Sequence, residues 1–245
     1  MKSLEAELER ARALDPTDLA DAIESIGFEC TRCGACCRAD PGCGGGDDAI
    51  ESTERPDRED HTATVFPDEV RRLRDASGSD DWRDVARPMP YGLASDEDET
   101  VEGETFEWAL QTDACGDCVF YEERAGTGAC TVHPDRPLIC RTYPFSVALD
   151  GTSQPMGDAV DEAGVVRAHE CEGLGREISR LNAESLAETL KERAVRELAE
   201  AIAVRDAYEP VERSPGEIVV HDSEGAKRPD GTARGSGADR SGDGE

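Results

Sequence analysis

Apolar residues recur every three or four positions at the start of the chain, as Leu4, Leu8, Ala11 and Leu14 and again as Leu19, Ile23 and Ile26. That period places them on one face of a helix. Asp15-Pro16 interrupts the pattern, with Asp15 or Thr17 as a cap. Residues 1–27 therefore predict one or two short helices as a lead-in, their acids forming a solvated face. Residues 38–60 are polar and glycine-rich and predict a loop. Val65-Phe66 predicts a short strand. Pro67 then opens a helix with Asp68 and Glu69 in its first turn and Val70 and Leu73 facing inward. Residues 94–104 predict a second acidic loop, before Phe106, Trp108 and Leu110 alternate with polar residues as a half-buried strand.

Short strands or turns are predicted around Val119–Tyr121 and Thr131–Val132. Pro134 and Pro137 preclude a long helix before Cys140, and Ser146–Leu149 predicts another short strand ending at Asp150-Gly151. From Gly175 the period returns to that of a helix: Ile178, Leu181, Leu186, Leu190, Ala194, Leu198 and Ile202 share a face. An amphipathic helix within 177–210, packed on the domain before it, is the expectation. Residues 222–245 carry almost no apolar side chain and predict a disordered acidic tail. Helices flank a middle of short strands and loops, so the fold class expected is α+β, small and irregular.

Composition narrows the partners. Among 245 residues, 56 acids against 27 bases give a formal net charge of −29. Only Lys2, Lys191 and Lys227 are lysine. Such an acidic, lysine-poor surface suits molar salt, where the Debye length falls to ~3 Å and repulsion is screened, so a halophilic protein is expected. No basic stripe exists to neutralise phosphates, which argues against nucleic acid. No apolar run of 18 residues is present, so no membrane span is expected, and residues 1–27 lack the apolar core of a signal peptide. A cytoplasmic protein follows, in which clustered cysteines read as ligands rather than disulfides.

Four of the ten cysteines fall within eight residues, C-T-R-C-G-A-C-C, as Cys30, Cys33, Cys36 and Cys37. Closely spaced thiolates on a turning backbone suit a soft metal ion or an iron–sulfur cluster. A second ligand-rich segment holds Cys118, Cys130, Cys140 and Cys171. Gly34 suits a turn that brings main-chain N–H groups to the sulfurs. Arg32, Arg38 and Arg141 lie beside the cysteines, where they offset thiolate charge or, on the plainer reading, pair with carboxylates. His133 follows Cys130 by three residues and reads as packing or hydrogen bonding, His169 as a loop residue, and His61 and His221 as exposed. No nucleophile elbow, P-loop, zinc-protease or dinucleotide motif occurs.

These residues resemble the YkgJ-like CxxCxxCC cysteine-cluster family, a zinc- or iron-chelating domain. The matching pieces are F-E-C-T-R-C-G-A-C-C at 28–37, V-F-P-D-E-V-R-R-L at 65–73, D-C-V-F-Y at 117–121, G-A-C-T-V-H-P-D-R-P-L-I-C-R-T-Y-P-F at 128–145 and H-E-C-E-G-L-G at 169–175. The resemblance implies a cysteine-cluster metal-binding domain over 28–176, with eight metal-ligand cysteines: Cys30, Cys33, Cys36, Cys37, Cys118, Cys130, Cys140 and Cys171. Cys43 and Cys115 lie outside that pattern and are expected to be spare thiols.

Eight thiolates suit two tetrahedral zinc ions or iron–sulfur clusters. C-x2-C-x2-C resembles a ferredoxin-type loop, although Cys37 follows at once where that loop would continue x3-C-P. The expected function is an iron–sulfur cluster carrier, with a zinc-stabilised interaction module as the alternative. A protein-modifying methyltransferase is a further alternative, by likeness to the cysteine-cluster region of a flagellin lysine N-methyltransferase. A protein or redox partner is left open.

Overall fold

A computed structural model describes residues 3–39, 61–95, 100–124, 127–149 and 157–234; Cys43, most of the 38–60 loop and the end of the expected tail lie outside them. Helix α1 (Leu4–Ala13) starts at Ser3, whose hydroxyl accepts from the Ala6 N–H. Helix α2 (Pro16–Ile26) starts at Asp15, whose carboxylate accepts from the Thr17 N–H, with Pro16 already holding a helical φ. Strand β1 (Thr64–Val65) leads directly into α3 (Pro67–Ser77).

The chain then lays down β2 (Ala86–Pro88), β3 (Leu93–Ser95), β4 (Val101–Thr105) and β5 (Trp108–Leu110), followed by the hairpin β6 (Tyr121–Arg124) and β7 (Thr127–Cys130). A short helix, α4 (Leu138–Thr142), carries Cys140. Strands β8 (Phe145–Val147), β9 (Asp158–Ala159) and β10 (Val166–Ala168) follow. The long helix α5 (Arg180–Ala207) precedes a final hairpin, β11 (Ile218–Asp222) and β12 (Gly225–Lys227). Five helices and small sheets of short strands make the molecule α+β.

Two hydrophobic cores organise these elements. In the first, α5 lays Ala183, Ala187, Leu190, Ala194 and Leu198 against Leu8, Leu19 and Ile23 of α1 and α2 and against the sheet β8-β10-β9. Alanines on that face let the helices approach closely. Leu181, expected on the apolar face, is 75% exposed instead, because at about 100° per residue it falls on the side of α5 opposite Ala183 and Leu190. The second core gathers Val65, Val70, Leu73, Trp82, Val85, Trp108, Leu110, Phe120 and Val132 around the sheet β1-β5-β2. Trp82 and Trp108 meet edge-on at 5.1 Å. Cys118 belongs to this core, and Cys37, Cys130 and Cys140 pack against it.

Three expectations are corrected. The acidic stretch 94–104 is not simply a loop: β3 and β4 pair antiparallel across it, and β4 pairs in parallel with β11. The partner strand that orders it comes from more than 110 residues downstream, so no local signal marks it. Residues 222–234 do not belong to a disordered tail. Strand β12 pairs back on β11, and Lys227 is buried against Asp222. His221 is 1% exposed, with its Nε2 2.9 Å from Glu104 Oε2 and its ring stacked on Phe106. Within the described residues no helix is long and apolar enough to cross a membrane.

Candidate metal centre

The segment 28–39 enters the site from the end of α2. Gly27 turns the chain with φ 74°. Glu29 N–H then donates to Gly173 O at 3.0 Å, and Gly175 N–H to Gly27 O at 3.1 Å. These bonds fasten the 169–175 segment, with Cys171, alongside the first cysteines. Gly173 is needed there because a Cβ would lie 2.3 Å from the Glu29 carbonyl oxygen. Further along, Gly34 takes φ 78° and a Cβ on it would lie 2.3 Å from the Tyr121 hydroxyl. Cys37 N–H closes the turn on Gly34 O at 2.8 Å. The turn expected at Gly34 is present, and it also lets β6 approach.

The second segment docks on the first through the main chain. Cys118 N–H donates to Cys37 O at 2.8 Å, and Gly128 N–H to Arg32 O at 2.9 Å. Tyr121 and Cys130 pair across the β6–β7 hairpin. Cys140 is positioned by Glu69, which sequence reading placed only in a helix first turn. One carboxylate oxygen accepts from the Phe66 N–H at 3.1 Å and the other from the Leu138 N–H at 2.9 Å. The buried side chain thus joins the start of α3 to the start of α4. Burial raises its pKa, and the Leu138 and Phe66 N–H groups oppose that shift.

All eight expected ligand cysteines are free thiols and line one cavity of about 2080 Å³ between the two cores. They sense one another. A hydrogen bond with Cys37 lowers the Cys36 thiol to about 7, and the same contact, burial and the charges of Cys36, Cys118 and Cys140 push Cys37 strongly up. Burial, then charge on Cys130 and Cys36, raises Cys118 to about 11. Cys140 is raised further by burial and by Cys118, Cys36 and Cys130. Cys171 is raised by burial and, more weakly, by Cys33, Cys36 and Cys30.

Counteracting groups are built in. The main chain two residues downstream favours the thiolate at three sites, Phe120 for Cys118, Val132 for Cys130 and Gly173 for Cys171, the last through an N–H that donates to the sulfur at 3.4 Å. Such donors stabilise a thiolate. The Arg136 guanidinium favours the thiolates of Cys36, Cys130 and Cys140; the sequence alone assigned Arg136 no role of its own. Of the arginines flanking the cysteines, Arg38 meets Glu123 at 3.5 Å and the Cys33 carbonyl at 3.2 Å. Arg141 reaches Thr189 at 3.5 Å. Among the described residues neither Arg32 nor Arg141 forms an ion pair, so the plainer reading holds for Arg38 alone.

The donor set fits zinc or iron: soft, mutually close thiols supplied with main-chain N–H groups and a cation. Cys36 Sγ and Cys37 Sγ stand 3.8 Å apart. Among the described residues no three His, Cys, Asp or Glu side chains already surround a single point. The sulfurs are gathered on one wall, and closing them round an ion takes rotation of cysteine side chains. Cys115 is not a spare thiol but disulfide-bonded, in a turn where its N–H donates to Asp113 Oδ1 at 2.7 Å. His133 and His169 are exposed at the cavity edge. His61 is half-buried rather than exposed, and burial lowers its pKa.

A family model, CxxCxxCC, described as a "putative zinc- or iron-chelating domain", matches residues 29–172, more than half of the chain. No curated protein and no solved structure matches.

Proposed function

The chain belongs to the CxxCxxCC family, and from that premise we propose that it chelates metal through Cys30, Cys33, Cys36, Cys37, Cys118, Cys130, Cys140 and Cys171. One observation carries the reading: these eight thiols, drawn from both halves of the domain, line a single cavity. Eight thiolates would fill two tetrahedral shells. A tetrahedron of sulfurs at ~2.3 Å from zinc has edges of ~3.8 Å, matching the Cys36–Cys37 separation of 3.8 Å. That spacing favours two thiolates on one ion. Zinc carries thiolates in this way, and so does each iron of a [2Fe–2S] centre, whereas a [4Fe–4S] cube takes one thiolate per iron.

Zinc closed by four sulfurs leaves no position for water and would act in structure or storage. The iron–sulfur reading is favoured by the C-x2-C-x2-C loop and would make the chain a cluster carrier. On either reading the chain's own residues do the same work. Main-chain N–H groups and Arg136 stabilise the thiolates, and the two cores exclude water from the deeper sulfurs.

Anaerobic purification of the full chain, followed by assay of zinc, iron and acid-labile sulfide, tests this. Roughly two zinc ions per chain, or iron with matching sulfide and a brown colour, is the expected result. Protein that neither retains nor takes up either metal would sink the proposal.

A further inference from the structure

His61 is tied down on both sides. Its main-chain N–H donates to Gly116 O at 3.0 Å, and its carbonyl accepts from Arg87 Nη2 at 2.9 Å. Gly116 lies in the turn that leads to Cys118, and Cys118 is itself bonded to the Cys37 carbonyl. The His61 ring lies near the Cys36 main chain, whose influence raises its pKa against the lowering effect of burial. The residue is therefore lodged where the two cysteine segments meet, on the wall of the cavity that all eight thiols line.

A neutral imidazole carries its proton on one nitrogen and a bare lone pair on the other, and the bare nitrogen is the one that binds a metal. In His61, Nδ1 is buried and has no hydrogen-bond partner among the described residues. His133 and His169 also edge the cavity, but they are exposed. His221 has a buried Nδ1 too, yet it lies under Phe106 and Tyr208, away from the sulfurs.

We propose that His61 is a nitrogen donor of the metal centre, its Nδ1 joining thiolates of the Cys36–Cys37 and Cys118 segments on one ion. The inference rests on the metal-chelating reading above. One metal position then has a mixed sulfur–nitrogen shell.

The test uses the full chain, stripped of metal anaerobically and reloaded with cobalt(II) as the probe. Pulsed EPR of the loaded wild-type protein is expected to show coupling to an imidazole nitrogen. In His61→Ala that coupling is expected to vanish, the visible cobalt bands to move towards those of an all-thiolate site, and affinity to fall ~10–100-fold. The wild-type spectrum needs no variant, and His61→Gln offers a polar substitute should the alanine form fail to fold. Cobalt bound without nitrogen coupling, or with coupling that survives both substitutions, would overturn the role of His61 while leaving thiolate chelation standing. Failure of the wild-type chain to bind cobalt at all would overturn both.

Discussion

At the β11–β12 hairpin the molecule buries a lysine together with its counter-ions; at the cysteine cavity it buries sulfurs with mostly each other for company. Lys227 Nζ sits 2.8 Å from Asp222 and 2.6 Å from Glu224, over the Trp82 ring at 5.4 Å. Asp222 also accepts from Trp108 Nε1 at 2.9 Å and from the Glu224 N–H at 2.9 Å. Glu224 is bound by Arg71 at 2.7 Å, which holds its carboxyl below the usual range. Each charge there has an opposite charge or a donor, so the cluster is complete within the chain. In the cavity the hydrogen bond with Cys36 and then burial push Cys37 up, burial comes first for Cys118 and Cys140, and charge on neighbouring sulfurs adds to all three. Three main-chain groups and Arg136 relieve only part of this. A self-satisfied polar cluster supports structure; buried thiols held protonated, which can give up their protons only when a cation arrives, are suited to bind one.

The largest difference between the two regions should appear on metal loading. Structural zinc contributes ~10–16 kcal/mol in small thiolate domains, so thermal melting before and after chelation should shift by tens of degrees, with the cysteine segments losing hydrogen-exchange protection first. The pH dependence has a definite sign. Cys37, Cys118, Cys130, Cys140 and Cys171 have raised pKa values and are protonated near neutrality, so metal uptake must release their protons. Apparent zinc affinity should therefore rise from about pH 6 to about pH 8, with proton release measurable in weak buffer. The Cys36 thiol, at about 7, is already part thiolate there. An affinity flat across that range would break the contrast.

A smaller effect is expected at the hairpin. Lys227→Met removes the cation and leaves Asp222 buried with neutral donors only. Removing one partner of a buried pair costs about 3–5 kcal/mol, read by denaturant titration at fixed salt, and metal stoichiometry should not change. Loss of metal in this variant would mean that the two regions are not separate.

The smallest effect joins them. Glu69→Gln keeps one acceptor but turns an amide N–H2 towards the Phe66 or Leu138 N–H. A buried donor left without an acceptor costs about 1–3 kcal/mol. Because the Leu138 N–H starts the helix carrying Cys140, metal affinity should drop along with melting temperature. A drop in melting temperature alone would assign Glu69 to the fold and not to the site.

The elements most legible beforehand were those whose signal is local. Asp15-Pro16 caps α2, Pro67 opens α3, and the apolar period before and after the cysteine region marks α1, α2 and α5. The illegible ones depend on distant partners. Strand β4 is ordered by β11, and a short acidic strand has no apolar alternation to betray it. Lys227 and His221 lie in polar surroundings that read as tail and surface; only the carboxylates of Asp222 and Glu104 make their burial tolerable. Glu69 had a visible signal as the third residue of a helix, which suits a capping carboxylate, but its second bond spans 69 residues.

The sequence by itself determined the chemistry. Residue type and spacing decide which side chains can be soft ligands, where helices start and stop, and how strongly the surface repels itself, because these depend on neighbours a few residues away. The tertiary structure alone decided which sulfurs share a cavity, which N–H groups face them, that Cys115 is disulfide-bonded, and that a histidine wedges between the cysteine segments with a nitrogen bare. Those facts depend on main-chain bonds between Cys37 and Cys118, Arg32 and Gly128, and Glu29 and Gly173. Bonds of that kind carry no side-chain signature, since every residue but proline offers the same N–H and carbonyl.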